Sequence, residues 1–154
     1  MKKTLCLLAA AGGLSLLAAP AYAQFNKPED AIHYRQSAMF IMGNQMGRIN
    51  AQLKASSPNI QVIQSSAALA EVMSKLPFEA FVPGTETGGT PPTKAKPELF
   101  KDTDKVKNLA EKMQTEVAKL NVVAKGGDVA AIKAQFGDVG KSCKACHDDY
   151  RNKE

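Results

Sequence analysis

The residues best suited to chemistry form one short run near the C-terminus, Cys143-Lys144-Ala145-Cys146-His147. On a helix, two thiols three positions apart lie on one face and can form thioether bonds with the two vinyl groups of a haem. The histidine that follows offers a neutral imidazole nitrogen, which is an axial donor that haem iron accepts. The run therefore predicts one covalent haem, attached through Cys143 and Cys146, with His147 as the metal ligand.

Three other interpretations of the cysteine pair remain, and each explains less. A thioredoxin-like redox pair stands near the start of a helix that follows a strand, but no strand pattern occurs in this sequence. A zinc site needs four ligands, and beyond this run the exported chain offers only the remote His33. A structural disulfide accounts neither for His147 nor for the export signal at the other end of the chain.

The first 23 residues have the anatomy of a secretory signal. Lys2 and Lys3 form a positively charged start, an apolar stretch follows, and small residues at the end form a cleavage site. We therefore predict a signal peptide that is cleaved after Ala23, and a periplasmic domain over residues 24–154. The apolar stretch is shorter than the roughly 20 residues of a membrane-spanning helix, and no second one follows, so no membrane partner is predicted.

The charge balance argues against a nucleic-acid partner. The chain has 20 basic and 15 acidic residues, a formal net charge of +5 that falls to +3 once Lys2 and Lys3 leave with the signal. Basic and acidic residues are also interleaved along the chain, which is typical of solvated helix faces. A mildly basic surface is compatible with an acidic redox partner, whose identity the sequence does not give.

Apolar residues recur at helical spacing in four segments, and capping signals set the predicted ends. The first helix is predicted to begin near Asn26, which forms a capping pair with Glu29, and to end at about Lys54. The second helix is predicted to begin at the Ser-Pro pair 57–58 and to run up to Pro77.

A long connection follows the second helix. Residues 77–97 are rich in Pro, Gly and Thr, which predicts a loop, and a loop of this length often covers part of a ligand. Asp102 is predicted to open the third helix, which the glycine pair 126–127 ends. Asp128 is predicted to cap a fourth helix that runs into the cysteines.

The pattern of elements predicts the all-α fold class. Four helices joined by two short connections and one long connection are typical of an antiparallel four-helix bundle. The chain has no Trp and only 6% aromatic residues, so its core depends on Leu, Val, Ile and Met. A haem inside the bundle would supply the missing bulk, and we expect its attachment to be needed for a compact fold.

Over nearly all of residues 24–154, the sequence resembles the class II c-type cytochromes, and within them cytochrome c′. The likeness lies in SCKACHDDYR at the C-terminus, AIHYRQSAMFIMG in the first helix and LPFEAFVPGTE at the entrance to the long loop. The C-terminal position of CxxCH also separates this class from class I cytochromes c, which carry it near the N-terminus. The resemblance implies an antiparallel four-helix bundle, usually a periplasmic homodimer, with one covalent haem c between the helices.

The resemblance also implies roles for residues outside the CxxCH run. Arg35 and Gln36 match the pair in the first helix that contacts the haem propionates and their surroundings, and Met39 lies where the family presents its distal residue. Arg151, four residues after the histidine, matches a basic residue that can lie beside the imidazole. Thr90 lies in the loop near the point where the family adds another haem contact.

Several neighbouring residues have more than one interpretation. Phe78 stands where many members have Trp, so packing on the haem can persist while an indole hydrogen bond cannot. His33 lies away from the apolar stripe of its helix and is predicted to be an exposed residue, not a second iron ligand. Gly43 and Gly47 either allow close approach of a helix or the haem, or are simply tolerated.

Two functions are predicted. The first is a non-enzymatic cytochrome c′ with a five-coordinate haem, in which an apolar distal site opposite His147 favours NO and CO over O2 and the iron also takes part in electron transfer. The alternative is a purely electron-carrying, six-coordinate cytochrome in which Met39 is the second ligand. A haem peroxidase would need a distal histidine or a charge relay, which the sequence does not supply.

Overall fold

The structure, a computed structural model, describes residues 24–153. Its helices are α1 Pro28–Lys54, α2 Ile60–Met73, α3 Thr103–Gly126 and α4 Val129–Tyr150. Two 3₁₀ turns, Leu76–Ala80 and Pro97–Phe100, lie in the connection between α2 and α3. The described residues contain no strand beyond an isolated bridge between Ala95 and Arg151, so the predicted all-α class is confirmed. The predicted signal peptide lies outside the described residues.

The starts of α1 and α2 differ from the sequence prediction. The residue before α1 is Lys27, whose side chain makes no capping hydrogen bond, so the capping pair predicted at Asn26 is wrong. Pro28 occupies the first turn instead, where its missing N–H has no helical partner to lose. At α2 the cap is Asn59 and not the Ser-Pro pair, because its side-chain oxygen accepts a 3.2 Å hydrogen bond from the Val62 amide.

The turn between α3 and α4 agrees with the prediction. Gly127 ends α3 at φ 74°, a left-handed conformation that costs a glycine little. Asp128 then caps α4 by accepting hydrogen bonds from the amides of Ala130 at 2.9 Å and Ala131 at 3.4 Å. The connection is therefore only two residues long, which makes α3 and α4 antiparallel neighbours.

Consecutive helices pack against one another, α1 on α2, α2 on α3 and α3 on α4, as in the predicted bundle. At one end, which we call the closed end, the last turns of α1 and α3 meet the first turns of α2 and α4. Its core consists of fully buried aliphatic side chains, chiefly Ile49, Ile63, Leu120 and Ile132. The expected contribution of methionine to the core is confirmed for four residues, which pack in or against it: Met42, Met46, Met73 and Met113. Met39, which is predicted to lie on the distal side of the haem, also packs against this core.

The opposite end, which we call the site end, combines the start of α1, the end of α2, the start of α3, the end of α4 and the long loop. Among the described helices, α1 has little direct contact with α4, so this side of the bundle is open to a bound group. A Cβ at Gly43 or Gly47 would meet nothing within 4 Å, so no close approach inside this chain explains these glycines. No helix within residues 24–153 is long and apolar enough to cross a membrane.

Candidate haem site

The last two turns of α4 carry the CxxCH run and place its two thiols in different apolar surroundings. Cys143 is half-buried against the main core, the cluster that includes Ile49 and Leu120. Phe78 and Met39 contact the same core. Cys146, one turn later, is half-buried against a second apolar cluster formed by Leu99, Val106 and Tyr150. Both cysteines are free thiols in this structure, so the helix presents them separately along one face and not as a disulfide.

The electrostatics of the run favour haem attachment over thiol redox chemistry. Burial raises the pKa of both Cys143 and Cys146, whereas a redox-active cysteine needs its pKa lowered to form a thiolate. The ring of His147 is exposed at one edge, yet desolvation by the surrounding protein lowers its pKa. The Arg151 guanidinium lowers that pKa further and Asp148 partly opposes it, so the neutral imidazole that binds iron is favoured.

A cavity of about 490 Å³ lies at the site end, between the long loop and α3. Its apolar wall comes from the loop, the second 3₁₀ turn and α3, and is formed chiefly by Phe78, Phe81, Leu99, Phe100 and Val106. The rings of Phe81 and Phe100 are 6.0 Å apart and pack against the same cluster as Cys146. The cavity and Cys146 therefore have apolar neighbours in common, although no residue of α4 lines the cavity itself.

A buried cation lies at the same end of the bundle. Arg35 of α1 is only 2% exposed, and its guanidinium stacks on the Phe81 ring with 4.8 Å from Cζ to the ring centroid. It donates hydrogen bonds to the carbonyl oxygens of Ala80 and Thr85, at 2.9 and 2.6 Å. It also donates to the hydroxyls of Thr85 and Thr93, at 2.6 and 2.9 Å. Burial lowers the pKa of Arg35 to about 10, although the charge of Glu86 opposes the change.

The acceptors of Arg35 are all neutral, so its charge has no hydrogen-bonded carboxylate in this structure. Next to it, the Gln36 amide donates to the Pro91 carbonyl at 3.0 Å, while its buried side-chain oxygen has no partner. Buried charges and buried polar atoms are stable only when they are paired. The Arg35 charge can therefore take a carboxylate, such as those of a haem, whereas the Gln36 oxygen is an acceptor that still lacks a donor.

The long loop lies tightly against α1. Gly89 has φ 85°, and a Cβ there would come within 2.6 Å of the Ile32 side chain, so only glycine allows this approach. The exposed ring of His33 is 3.1 Å from the Thr90 carbonyl, which confirms the prediction that His33 is an exposed residue. Thr90 itself is exposed, and the loop threonines that contact Arg35 are Thr85 and Thr93.

The remaining predicted residues divide between the interior and the surface. Met39 is half-buried against the same core that Phe78 and Cys143 contact. Arg151 is exposed and has extended backbone, because α4 ends at Tyr150, and its amide donates to the His147 carbonyl at 3.1 Å. No group of three or more His, Cys, Asp or Glu side chains that could hold a metal ion occurs in the described part of the chain.

These features fit a haem. The cavity offers an aromatic and aliphatic slot, Cys146 packs in the cluster that includes Leu99 and Val106 of its wall, and the buried guanidinium of Arg35 lies at the same end of the bundle. The sequence did not identify the contacts of Arg35 with Thr85 and Thr93, or the contact of Tyr150 with Asp102. Residue spacing does not show which side chains a folded loop brings together.

Comparisons with known proteins point to the same cofactor. The family model described as Cytochrome C' matches residues 30–151. A cytochrome c' from Alcaligenes xylosoxydans xylosoxydans is 42% identical over 132 residues, which are 85% of this chain and 100% of that protein. A nitric oxide complex of a mutant cytochrome c prime from Alcaligenes xylosoxidans has a TM-score of 0.77 and 41% identity, covering 85% of this chain and 100% of that one.

A third relative is a cytochrome c' structure described as having an unusual ligand-controlled dimer dissociation. It has a TM-score of 0.78 and 32% identity, and the match covers 82% of this chain and 98% of that one.

The fold and the site define a helical bundle that carries a covalent haem. The chain belongs to the cytochrome c′ family, and like the members of that family it carries one haem c.

Proposed function

We propose that the protein is a periplasmic mono-haem cytochrome c′ whose haem is attached through Cys143 and Cys146 and whose iron is held by His147. It binds NO and CO and takes part in electron transfer, and it is not an enzyme. The observation that carries the proposal is that both thiols are half-buried at the site end and that Cys146 shares an apolar cluster with residues of the cavity wall. A haem held there would supply an iron that can bind small ligands and exchange electrons, and the surrounding side chains would select which ligands reach it.

The protein side of the site has three tasks. Arg35 and Gln36 bind the propionates, because a buried guanidinium with only neutral partners gains from a carboxylate. His147 donates its neutral imidazole to iron, which the lowered pKa of that ring favours. Thr90, exposed at the loop surface, stays a weaker candidate contact at the rim of the site.

Met39 and its apolar neighbours form the distal side. A thioether offers no strong hydrogen-bond donor, and bound dioxygen depends on such a donor more than NO or CO does. The related cytochrome c prime from Alcaligenes xylosoxidans was captured as a nitric oxide complex, which supports the same ligand for this chain. To test this function, the ferrous protein is titrated with NO, CO and O2, and absorption spectra are recorded. Tight NO and CO complexes without a stable O2 complex support the proposal, and no response to NO contradicts it.

A second candidate function is a six-coordinate electron carrier. It is favoured by Met39, whose sulfur-bearing side chain is half-buried against the same core that Cys143 contacts. Replacing Met39 with Leu preserves the volume but removes the thioether. The weak far-red band typical of methionine-ligated ferric haem, if it is present in the parent and lost in this variant, supports the electron carrier over the gas-binding protein.

We further propose a homodimer formed through the outer face of α1. Phe40 is 74% exposed and lies beside Ile41, Gly43 and Gly47, and these glycines have no packing partner inside the chain. A second copy would bury this face, and a related cytochrome c' is known as a dimer whose dissociation is controlled by ligand. Replacing Phe40 with Lys should give a monomer in sedimentation experiments, whereas the same change at exposed Val122 should not.

The proposed location follows from the predicted signal. Export requires that residues 1–23 be removed, leaving the domain over residues 24–154. N-terminal sequencing of the protein from a periplasmic extract should begin at Gln24. Recovery of Met1 from the cytoplasm would contradict both the signal and the location.

A further inference from the structure

The last turn of α4, which follows directly on the haem motif, is tied to the end of the long loop. Ala95 and Arg151 form an antiparallel bridge. On either side of the bridge, the Lys96 amide donates to the Tyr150 carbonyl at 2.9 Å and the Asn152 amide donates to the Lys94 carbonyl at 2.8 Å. The last carbonyls of a helix have no helical partner, so these bonds stop the end of α4 from fraying.

Side chains strengthen the same attachment. The Lys96 ammonium donates to the Asp149 carbonyl at 2.8 Å, which satisfies another terminal carbonyl of α4. From the first turn of α3, Lys105 forms a 2.8 Å ion pair with the Asp149 carboxylate. The two charged groups of this pair are exposed, so the pair orients the turn more than it stabilises it.

The one deeply buried member of the attachment is Tyr150. Its side chain is only 3% exposed and packs with Leu99 and Val106 in the cluster that Cys146 also contacts. Its hydroxyl donates a 2.9 Å hydrogen bond to the Asp102 carboxylate. Burial and this hydrogen bond raise the pKa of Tyr150, so the hydroxyl remains protonated and able to donate.

Asp102 accepts this hydrogen bond in place of the usual helix-capping bond. It immediately precedes α3, where an aspartate normally accepts hydrogen bonds from the first helical amides, yet its side chain makes no such bond. A capping bond of this kind typically contributes about 1 kcal/mol, so its absence needs a compensating contact. The hydrogen bond from Tyr150 is that contact. Local rules are broken most often where function requires a specific geometry.

The position of Tyr150 on α4 connects this hydrogen bond to His147. Tyr150 follows His147 by three residues and Cys146 by four, so all three lie along neighbouring rows of the same helical turn. With Cys143 and Cys146 fixed to the haem, the remaining freedom of His147 is rotation and tilt of this final turn. The hydrogen bond from Tyr150 to Asp102, which directly precedes α3, restricts this rotation and tilt.

We propose that Tyr150 and Asp102 are positioning residues of the axial histidine, holding the last turn of α4 so that His147 approaches the iron in one fixed direction. The inference rests on the proposed function, since it requires His147 to be the ligand. It also assigns a role to the end of the long loop, whose backbone holds the end of α4 through Tyr150 and Asn152.

The test uses the haem-loaded protein and the iron–histidine stretching band of its ferrous form, measured by resonance Raman spectroscopy. Replacing Tyr150 with Phe removes only the hydroxyl, and replacing Asp102 with Ala removes its acceptor. Both changes should move the band to lower frequency by the same amount, and the double variant should add nothing further. Replacing Asp102 with Asn, which keeps an acceptor oxygen, should restore the band.

A second measurement reports the strength of the same bond. Addition of NO to ferrous haem weakens the opposite ligand, so the rate at which His147 leaves the nitrosyl complex should rise roughly threefold to tenfold in Tyr150→Phe, the range expected for loss of one hydrogen bond. Tyr34→Phe is the matched control, because the Tyr34 hydroxyl donates to the Glu79 carboxylate at 3.1 Å on the opposite side of the site end. It should alter neither the band nor the rate.

The outcomes separate this inference from the proposed function. A clear iron–histidine band in the parent that is unchanged in both Tyr150→Phe and Asp102→Ala overturns the inference alone, as does an equal shift in Tyr34→Phe. A parent protein with no iron–histidine band overturns the proposed ligand and the inference with it. Asp102 is exposed, so the Asp102→Ala arm yields folded protein even where Tyr150→Phe does not accumulate.

Discussion

The two ends of the bundle are built on different principles. The closed end is filled by aliphatic side chains from all four helices, with Ile49, Ile63, Leu120 and Ile132 fully buried. The site end contains a buried guanidinium, an unpaired amide oxygen and a cavity of about 490 Å³. The first end is complete as the chain alone makes it. The second has an unfilled cavity and a buried arginine without a hydrogen-bonded carboxylate, which is the room that the proposed haem would take.

The largest expected effect comes from removing the attachment. Replacing both Cys143 and Cys146 with Ala should abolish covalent haem and loosen the site end, because the cavity then stays unfilled and Arg35 keeps no carboxylate partner. Hydrogen exchange should show that amides of the closed end keep protection while those of the long loop and the start of α1 lose it. Lys144→Ala, inside the same run, should change neither property. Equal loss of amide protection at both ends would contradict the claim that only the site end depends on the haem.

The next largest effect isolates the closed end. Leu120→Ala should lower the free energy of unfolding by about 2–5 kcal/mol, because it leaves a cavity among fully buried neighbours. The absorption spectrum of the haem should not change. Val122→Ala is the control on the same helix, since Val122 is exposed and its loss should cost less than about 0.5 kcal/mol. A spectral change in Leu120→Ala would show that the two ends are not independent.

A smaller effect is expected at Arg35. Arg35→Lys keeps the charge but cannot reach four acceptors, so it should lower the free energy of unfolding by about 1–3 kcal/mol through the unpaired groups of Thr85 and Thr93. The loss should be larger with haem bound than without it, because the propionate contact is weakened as well. Arg48→Lys, an exposed position of α1, serves as the control in urea titrations. Equal losses at the two arginines would contradict a special role for Arg35.

The smallest effect is electrostatic. Arg151 lies beside His147 and its positive charge opposes a further positive charge on the iron, so Arg151→Ala should favour the ferric state and lower the reduction potential slightly. The side chain is exposed, and salt should screen the effect. Spectroelectrochemical titrations at low and high salt measure the shift, with Arg48→Ala as the control. A potential that is the same in both variants would make Arg151 an ordinary surface residue.

The helices and the haem could be predicted from the sequence because short-range signals specify them. Apolar spacing located all four helices, and Asp128 and Gly127 marked the turn between α3 and α4 correctly. The starts of α1 and α2 could not be assigned in the same way, since Asn26, Pro58 and Asn59 are all acceptable starting residues. Only the path of the preceding chain decides between them.

The details of the site end depend on long-range contacts that spacing does not encode. The sequence singled out Arg35, but its acceptors Thr85 and Thr93 lie 50 and 58 residues further along, on a loop whose shape the turns determine. Likewise, the pairing of Tyr150 with Asp102 spans 48 residues and takes the place of the capping bond that an aspartate before a helix normally makes. Cavities and unpaired polar atoms become visible only once the chain is folded.

The claim that the site end is completed by one haem on α4 can be tested most directly by peptide mass mapping. The protein is produced in a host that matures c-type cytochromes, digested, and the peptide that contains Cys143 to His147 is weighed after acid acetone extraction. The account predicts that this peptide carries the mass of one haem and that neither thiol reacts with an alkylating reagent. Haem that passes into the organic phase, together with two alkylated cysteines on an unmodified peptide, would contradict it.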